Sequence, residues 1–171
     1  MKELRCKVCG EVKDELLKDS EVCKDCQEAI DDFGNEDLIV ALAEEFGCGV
    51  QDIVNLGHNR VQIDGYEYEI FTEDEANDAV ADYIADTLWA FTPSFLSGLT
   101  GIDEEVFELL SEKCEGGNDA IHSILRATNV SMSEVVDEAI RCDGRGHYLN
   151  SYDGNEYEVY VDGEYYFLYR D

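Results

Sequence analysis

Residues 60–70 read RVQIDGYEYEI, and this stretch carries the clearest structural signal in the chain. Asp64-Gly65 is a preferred two-residue type I′ turn, so it predicts two antiparallel strands joined by a tight hairpin. In that register Ile63 lies opposite Tyr66, and the next apolar pair follows two residues further along each strand. Because the two strands agree on which face is apolar, the hydrophobic pattern fixes their pairing.

Helices are predicted on both sides of this hairpin. Before it, a helix is expected over 37–46, with Asn35 near its N-cap and Gly47 at its C-terminal end. After it, Thr72 and Glu75 form a capping-box pattern that opens a helix over 73–91. Four further helices are expected. One has Thr92 as N-cap and Pro93 at its first position, and one starts at Asp103 as its cap. The other two start near Asn118 and at the capping box Ser131 to Glu134.

The C-terminal segment predicts a β-meander. Asp-Gly turns at 153–154 and 162–163 would connect strands near 147–152, 155–161 and 164–170. The predicted fold class is therefore α+β, with an N-terminal four-cysteine zinc ribbon or knuckle, a helical middle and antiparallel β-hairpins. We expect two domains, a zinc-binding module over 1–34 and an acidic α+β domain over 35–171.

The N-terminal module is defined by two Cys-x-x-Cys pairs, which are separated by 13 residues. Two residues between cysteines allow both thiolates to reach one metal ion, and four thiolates give a closed tetrahedral site with no position for water. The pattern predicts one structural Zn²⁺, with a disulfide or an iron–sulfur cluster as alternatives. The predicted ligands are Cys6, Cys9, Cys23 and Cys26.

Residues 1–30 resemble the zinc-ribbon and treble-clef knuckles of many unrelated proteins, which bind DNA, RNA or protein. Residues 1–26 carry six Lys or Arg against seven Asp or Glu, and four thiolates around a divalent ion add two negative charges. Nucleic-acid binding needs a basic surface. We therefore expect no direct nucleic-acid contact, and a protein-docking or stabilising role for this module.

The net charge of −29 over 171 residues is unevenly distributed. Residues 36–171 carry 31 Asp or Glu against six Lys or Arg, and no basic residue occurs between Arg60 and Lys113, where 14 carboxylates lie. Self-repulsion of this size costs stability, and solubility alone requires far less charge. Either the charge serves a function, or it adapts the protein to a very salty cell.

Several protein classes do not fit the sequence. No stretch of 18 apolar residues is present, and the N-terminus lacks the apolar run of a signal peptide. An odd count of seven cysteines favours a reducing compartment over a disulfide scaffold. We expect a cytoplasmic protein without a membrane contact. No nucleophile elbow, P-loop or dinucleotide-binding motif is found, so the prediction is a non-enzymatic protein without catalytic or cofactor-binding residues beyond the zinc ligands.

Carboxylates recur every four residues on two predicted helices. Like charges at this spacing destabilise a helix, so folding alone would favour lysine at alternate positions. Such a row could be an ordinary solvated face, but it could also imitate the phosphates of a nucleic acid and attract a cationic groove. The predicted partner-binding residues are Asp74, Asp78, Asp82 and Asp86 on the first helix and Glu104, Glu108 and Glu112 on the second.

Four stretches, YEYEIFTEDEA, DTLWAF, DGRGHYLNSYDG and YYFLYR, resemble parts of small bacteriophage and prophage proteins. The resemblance implies a phage accessory protein of the anti-CRISPR or antirestriction type. Its function would be to bind a host defence protein, such as an RNA-guided CRISPR effector nuclease, and to block DNA binding. The alternative is a zinc-ribbon adapter in phage transcription or assembly. The oligomeric state does not follow from the sequence.

Overall fold

Five antiparallel strands form one sheet in the computed structural model, which describes residues 5–8, 11, 16 and 21–171. The strand order is β1-β2-β3-β5-β4, and every neighbouring pair is antiparallel. Because strands and helices are segregated along the chain, the described part is an α+β protein. The strands are β1 (Ile53–Gly57), β2 (Arg60–Ile63), β3 (Tyr66–Thr72), β4 (Tyr157–Val161) and β5 (Glu164–Arg170).

The hairpin predicted from residues 60–70 is confirmed. Ile63 pairs with Tyr66, and both turn residues, Asp64 and Gly65, have the positive φ angles of 52° and 83° that a type I′ turn requires. The Asp162-Gly163 turn joins β4 to β5 in the same way. Turn chemistry and apolar alternation therefore fix the register of both hairpins.

The chain divides into two compact units. A sheet unit contains Met1–Glu73 and Asn150–Asp171, and a helical unit contains Asp74–Leu149. The separation of 1–34 from 35–171 as domains stays a prediction. None of the helices in the described part of the chain has the length and apolar character that a membrane crossing requires.

Among its described residues, the sheet unit contains the α-helices α1 (Lys24–Phe33) and α2 (Glu36–Phe46). The predicted caps of α2 are confirmed, because the Asn35 side chain accepts a hydrogen bond from the Leu38 amide at 3.0 Å and Gly47 ends the helix with φ 66°. Side chains of both helices are buried in one core with the strands of the sheet. The described residues of the cysteine module thus share the hydrophobic core of the sheet.

Six helices form the helical unit, and their buried side chains make a separate core. Three predicted N-caps are confirmed here: Thr92, Asp103 and Ser131 each accept a hydrogen bond from an amide in the first turn of their helix. The helices are α3 (Glu73–Thr87), α4 (Pro93–Thr100), α5 (Glu104–Ser111), α6 (Asn118–Ala127), α7 (Met132–Asp143) and α8 (Gly146–Leu149).

Helix α3 ends at Thr87 and not at residue 91, where the apolar pattern had placed its end. A 3-10 turn, Leu88–Ala90, follows it. The side chain of Asn118 donates to the Ala85 carbonyl at 2.6 Å and accepts from the Trp89 amide at 3.2 Å. These bonds satisfy backbone groups at the end of α3, so the α-helix ends there without leaving them unpaired.

The predicted strand over 147–152 is wrong, and the C-terminal segment is a hairpin and not a meander. Residues Gly146–Leu149 form the short helix α8, and β5 pairs with β3 on its other side. Asn150 explains the difference, because its buried side chain accepts from the Tyr152 and Asp153 amides and donates to the Asn155 carbonyl. Local side-chain bonds of this kind compete with a strand ladder.

Candidate metal centre

Three cysteine sulfurs meet in the sheet unit. The Sγ atoms of Cys6, Cys23 and Cys26 all lie within 4.8 Å of one another, and the three residues are 1%, 3% and 0% exposed. Thiolates bound to one tetrahedral zinc at 2.3 Å lie about 3.8 Å apart. Three buried sulfurs at this separation suit a metal ion, and the described residues could supply three of its ligands.

Helix α1 positions two of these sulfurs. Cys23 occupies the N-cap position of α1, and Cys26 lies in its first turn. Residues three apart lie on the same side of a helix. The spacing of two residues between the cysteines therefore places both sulfurs on one side of the helix start.

Backbone hydrogen bonds bring Cys6 to the same place. The Cys6 amide donates to the Glu11 carbonyl at 3.0 Å, and the Lys7 amide donates to the Glu21 carbonyl at 3.1 Å. The Cys23 amide in turn donates to Cys6 Sγ at 3.3 Å. Amide-to-sulfur bonds of this kind orient a metal-binding thiolate and spread its charge.

Gln51 is a neighbour of the cluster that sequence reasoning missed. Its side-chain oxygen lies 3.6 Å from Cys26 Sγ, the geometry of a thiol donating to an amide. A metal-bound thiolate only accepts hydrogen bonds, so metal binding would turn the amide and present its NH₂ group to the sulfur. No local motif marks this glutamine, because it is 25 residues from Cys26 in the sequence.

The other cysteines divide into separate environments. Cys9, the fourth predicted ligand, lies outside the described residues. Cys48 is half-buried, and burial raises the pKa of its thiol, with smaller contributions from the carboxylates of Asp64 and Asp52. Cys114 and Cys142 are exposed and lie in the helical unit. The described cluster is therefore limited to the N-terminal cysteines.

The predicted acidic rows lie on the surface of the helical unit, and all seven carboxylates are exposed. On α3 the buried residues also recur every four positions, at Ala76, Val80 and Ile84. Each aspartate of the row precedes a buried residue by two positions, or about 200° around the helix axis. The row of aspartates and the row of buried residues therefore wind around α3 together, and the aspartates face away from the core along the whole helix.

The carboxylates of both rows have no cationic partner within the described part of the chain. The helical unit contains sixteen Asp or Glu against four Lys or Arg, and one of those four, Arg141, pairs with Glu138. The second row continues to Glu112, which caps α5 with helical dihedral angles. Helix α5 packs against the 3-10 turn that follows α3. Both rows thus lie on exposed positions of the helical unit.

His122 lies on α6 next to the buried Ile121. The histidine is half-buried, and its Nε2 lies 3.0 Å from the Ala85 carbonyl at the end of α3.

Comparisons of this chain with known protein families, with curated proteins and with solved structures find no match.

Proposed function

We propose that this protein is a non-enzymatic inhibitor that binds a nucleic-acid-binding protein through its acidic helices and thereby blocks access of DNA. The observation that supports it most directly is the exposure of seven carboxylates in two rows without cationic partners in the described residues. A fold selected for stability alone would place lysines among them, because like charges four residues apart repel one another.

The physical basis of the proposal is electrostatic attraction. Four residues of helix rise about 6 Å, so a single row is sparser than the phosphates of one DNA strand, which lie 3.4 Å apart. The two rows together carry seven carboxylates, more than either row alone. A groove lined by arginine and lysine attracts such a surface strongly at low salt, and the attraction weakens as the ionic strength rises.

The cysteine cluster has a structural role in this proposal. We propose that Cys9 completes the set with Cys6, Cys23 and Cys26, so that the module is a four-cysteine zinc ribbon with one Zn²⁺. Four thiolates leave no open coordination position, so the metal would hold the fold and would not catalyse a reaction. The three described sulfurs are buried in the core of the sheet, which supports a stabilising role.

The target that we favour is an RNA-guided CRISPR effector nuclease in the cytoplasm of a bacterial host. This choice rests on the resemblance of the four stretches to phage and prophage proteins, among which small acidic antagonists of host defence occur. Such an effector holds nucleic acid in a positively charged channel. The acidic helices would compete with DNA for that channel.

A second candidate function is that of a zinc-ribbon adapter that works through protein contacts on the sheet unit. The observation in its favour is the exposure of tyrosines on that unit, with Tyr152 68%, Tyr160 60% and Tyr165 45% exposed. Tyrosine is enriched at protein interfaces. In an adapter the contact would lie on the tyrosines and the cysteine module, and the acidic rows could change without effect.

The two functions are distinguished by matched charge variants. One variant neutralises the α3 row by changing Asp78, Asp82 and Asp86 to Asn. The control removes the same charge from the exposed surface of the sheet unit by changing Glu44, Glu45 and Glu158 to Gln.

The measurement is DNA binding by an RNA-guided nuclease at increasing protein concentration, followed by fluorescence anisotropy at 50 and 300 mM salt. We expect the α3 variant to inhibit at least about tenfold more weakly than the control at low salt, and both to weaken at high salt. Equal inhibition by the α3 variant and the control would remove the acidic row from the mechanism.

A further inference from the structure

A small aromatic cavity lies within the helical unit, which does not contain the cysteine cluster. Its volume is about 210 Å³, below the roughly 300 Å³ at which pockets for drug-sized ligands begin. A cavity of this size suits one side chain and not a cofactor. The residues that define this aromatic cage are Tyr83, Phe91, Phe95, Tyr148 and Asp143.

The rings of the aromatic cage meet at several angles. Tyr83 and Tyr148 have centroids 5.9 Å apart at 59°, and Phe91 and Phe95 have centroids 5.0 Å apart at 35°. Phe91 is nearly parallel to Tyr148, with centroids 6.3 Å apart. The face of an aromatic ring is electrically negative, so rings converging on one cavity favour a cation within it.

Asp143 adds a full negative charge to the edge of the cage. The Tyr148 hydroxyl donates to Asp143 Oδ2 at 3.3 Å, and burial, with a smaller contribution from Asp143, raises the pKa of Tyr148 to about 12. The phenol therefore stays a neutral donor to the Asp143 side chain. Asp143 also ends α7, where the helix dipole is negative.

No lysine or arginine lines the cavity to balance this charge. The two nearest arginines in the sequence are engaged elsewhere, because Arg141 pairs with Glu138 and Arg145 donates to the Asn77 side chain. His147 also lines the cavity, and its ring packs edge-on against Tyr148. The aromatic cage is thus an anionic and π-rich cavity without a lysine or arginine of its own.

The chemistry of the lining favours a guanidinium group over a fully alkylated ammonium group. A guanidinium is planar, stacks on ring faces and donates hydrogen bonds to a carboxylate, whereas a quaternary ammonium donates none. The sheet unit of this chain contains the same arrangement internally. The Arg170 guanidinium lies 3.6 Å from the ring centroid of Tyr66 and 3.7 Å from that of Tyr152.

We propose that the aromatic cage binds the guanidinium group of an arginine side chain of a partner protein, between its rings and the Asp143 carboxylate. That this arginine belongs to a nucleic-acid-binding partner rests on the function proposed above. The affinity of the cage for guanidinium does not, because it follows from the rings and the carboxylate alone. Arginine is the residue that such partners present to phosphates, so the acidic rows and the cage would recognise the same kind of surface.

The experiment titrates N-acetyl-arginine amide into the full-length, zinc-loaded protein and follows the aromatic signals of Tyr83 and Tyr148 by NMR. N-acetyl-citrulline amide is the uncharged isostere, and tetramethylammonium is a cation without donors. We expect arginine amide to bind at least about tenfold more tightly than either, because only it combines stacking with a charge-assisted hydrogen bond.

Two variants test the residues of the cage. Tyr83→Ala removes a ring that is 49% exposed, and Asp143→Asn keeps an acceptor for Tyr148 but removes the charge, so both are expected to fold. Each should weaken binding of arginine amide by at least about fivefold. The control, Tyr160→Ala, removes a 60% exposed tyrosine from the sheet unit and should leave the affinity unchanged.

Equal affinity for citrulline amide, tighter binding of tetramethylammonium, or unchanged binding by both cage variants would each overturn the guanidinium site. The source of the arginine is tested separately, by repeating the DNA-binding assay with Asp143→Asn. If Asp143→Asn no longer binds arginine amide but inhibits the nuclease normally, the cage does not bind an arginine of that nuclease, although it remains a guanidinium site. If arginine amide binds and no nuclease is inhibited, the proposed function fails and the cage remains.

Discussion

The cysteine cluster and the acidic rows place their charged atoms in opposite environments. The three described sulfurs point inward and lie within 4.8 Å of one another, so their mutual distances indicate what they can bind. The seven carboxylates point outward from α3 and α5, and nothing in the described part of the chain neutralises them. The neighbours of a buried group within the molecule indicate what that group can bind, whereas the binding partner of an exposed group is seen only in a complex.

The two regions should also differ in their effect on stability. A metal on the buried sulfurs would stabilise the sheet unit, because binding to the folded state adds to the free energy of unfolding. The carboxylate rows oppose folding through mutual repulsion. Substitutions in the two regions should therefore change the free energy of unfolding in opposite directions.

The largest effect is expected for Cys26→Ser, since the sulfur of Cys26 is fully buried in the cluster. The variant should lose its zinc and roughly 5 kcal/mol or more of unfolding free energy, measured by elemental analysis and by urea unfolding. The exposed Cys114→Ser is the control and should keep one zinc per chain and change stability by less than about 0.5 kcal/mol. Full zinc content in the Cys26 variant would contradict the metal assignment.

The next largest effect on the free energy of unfolding is expected for a core substitution in the helical unit. Leu88 is fully buried, and Leu88→Ala is expected to cost about 2–5 kcal/mol through the lost contacts and the cavity left behind. Hydrogen exchange of amides in α3, α6 and α7 should accelerate, while the zinc content stays at one per chain. Loss of the metal in this variant would show that the two regions do not respond separately.

Removing the capping box of α7 should change the free energy of unfolding less than the core substitution does. Ser131→Ala removes the hydroxyl that accepts from the Glu134 amide, and the cost should be about 1 kcal/mol. Urea unfolding of the helical unit measures it. Thr87→Ala is the control, because this side chain only donates to a carbonyl one turn earlier in α3.

The same capping box predicts a pH dependence. Hydrogen bonds from the Ser131 amide and, secondarily, from its hydroxyl lower the pKa of Glu134. A lowered carboxyl pKa stabilises the fold above the ordinary pKa, and this contribution is lost as the pH falls through the lowered value. In Ser131→Ala the amide remains as a donor, so NMR titration should show the pKa of Glu134 rising part of the way to normal. An unchanged pKa of Glu134 would mean that the Ser131 hydroxyl does not contribute to lowering it.

The smallest expected effect is a gain in the free energy of unfolding, whereas the preceding substitutions lower it. Asp82→Asn relieves repulsion with Asp78 and Asp86 and should stabilise the helical unit by about 0.3–0.5 kcal/mol at low salt. The gain should vanish at high salt, because exposed charges are then screened. Thermal unfolding at 20 mM and 500 mM salt measures this difference. A loss of stability on neutralisation would contradict the view that the row opposes folding.

The sequence predicted those parts of the fold whose causes are local. The Asp64-Gly65 turn, the Asn35 and Thr92 caps and the Ser131 capping box are each recognisable within a few residues, and the structure confirms them. Strand β1 was not predicted. Its turn to β2 has His58 and Asn59 as central residues at positive φ, with no glycine at either central position.

One error arose where a distant residue decides the structure, because the end of α3 depends on Asn118, which is 33 residues from the carbonyl that it binds. The other error, after α8, has a local cause, because the buried Asn150 side chain bonds backbone groups two to five residues away in place of a strand ladder. The two candidate sites differ in the same way, one having a local sequence pattern and the other none. The cysteine spacing predicted the cluster, of which three members are described together, whereas the aromatic cage joins Tyr83 to Tyr148 and left no local pattern.

The pairing of β3 with β5 has a consequence for how the chain acquires its structure during synthesis. Residues Asp74–Leu149 separate these two strands in the sequence, although the strands are neighbours in the sheet. The helical unit is built from nearby segments and can form as soon as it leaves the ribosome. Until β5 follows, one edge of β3 lacks its neighbour and is open to another chain, so slow translation of the last strand should favour aggregation.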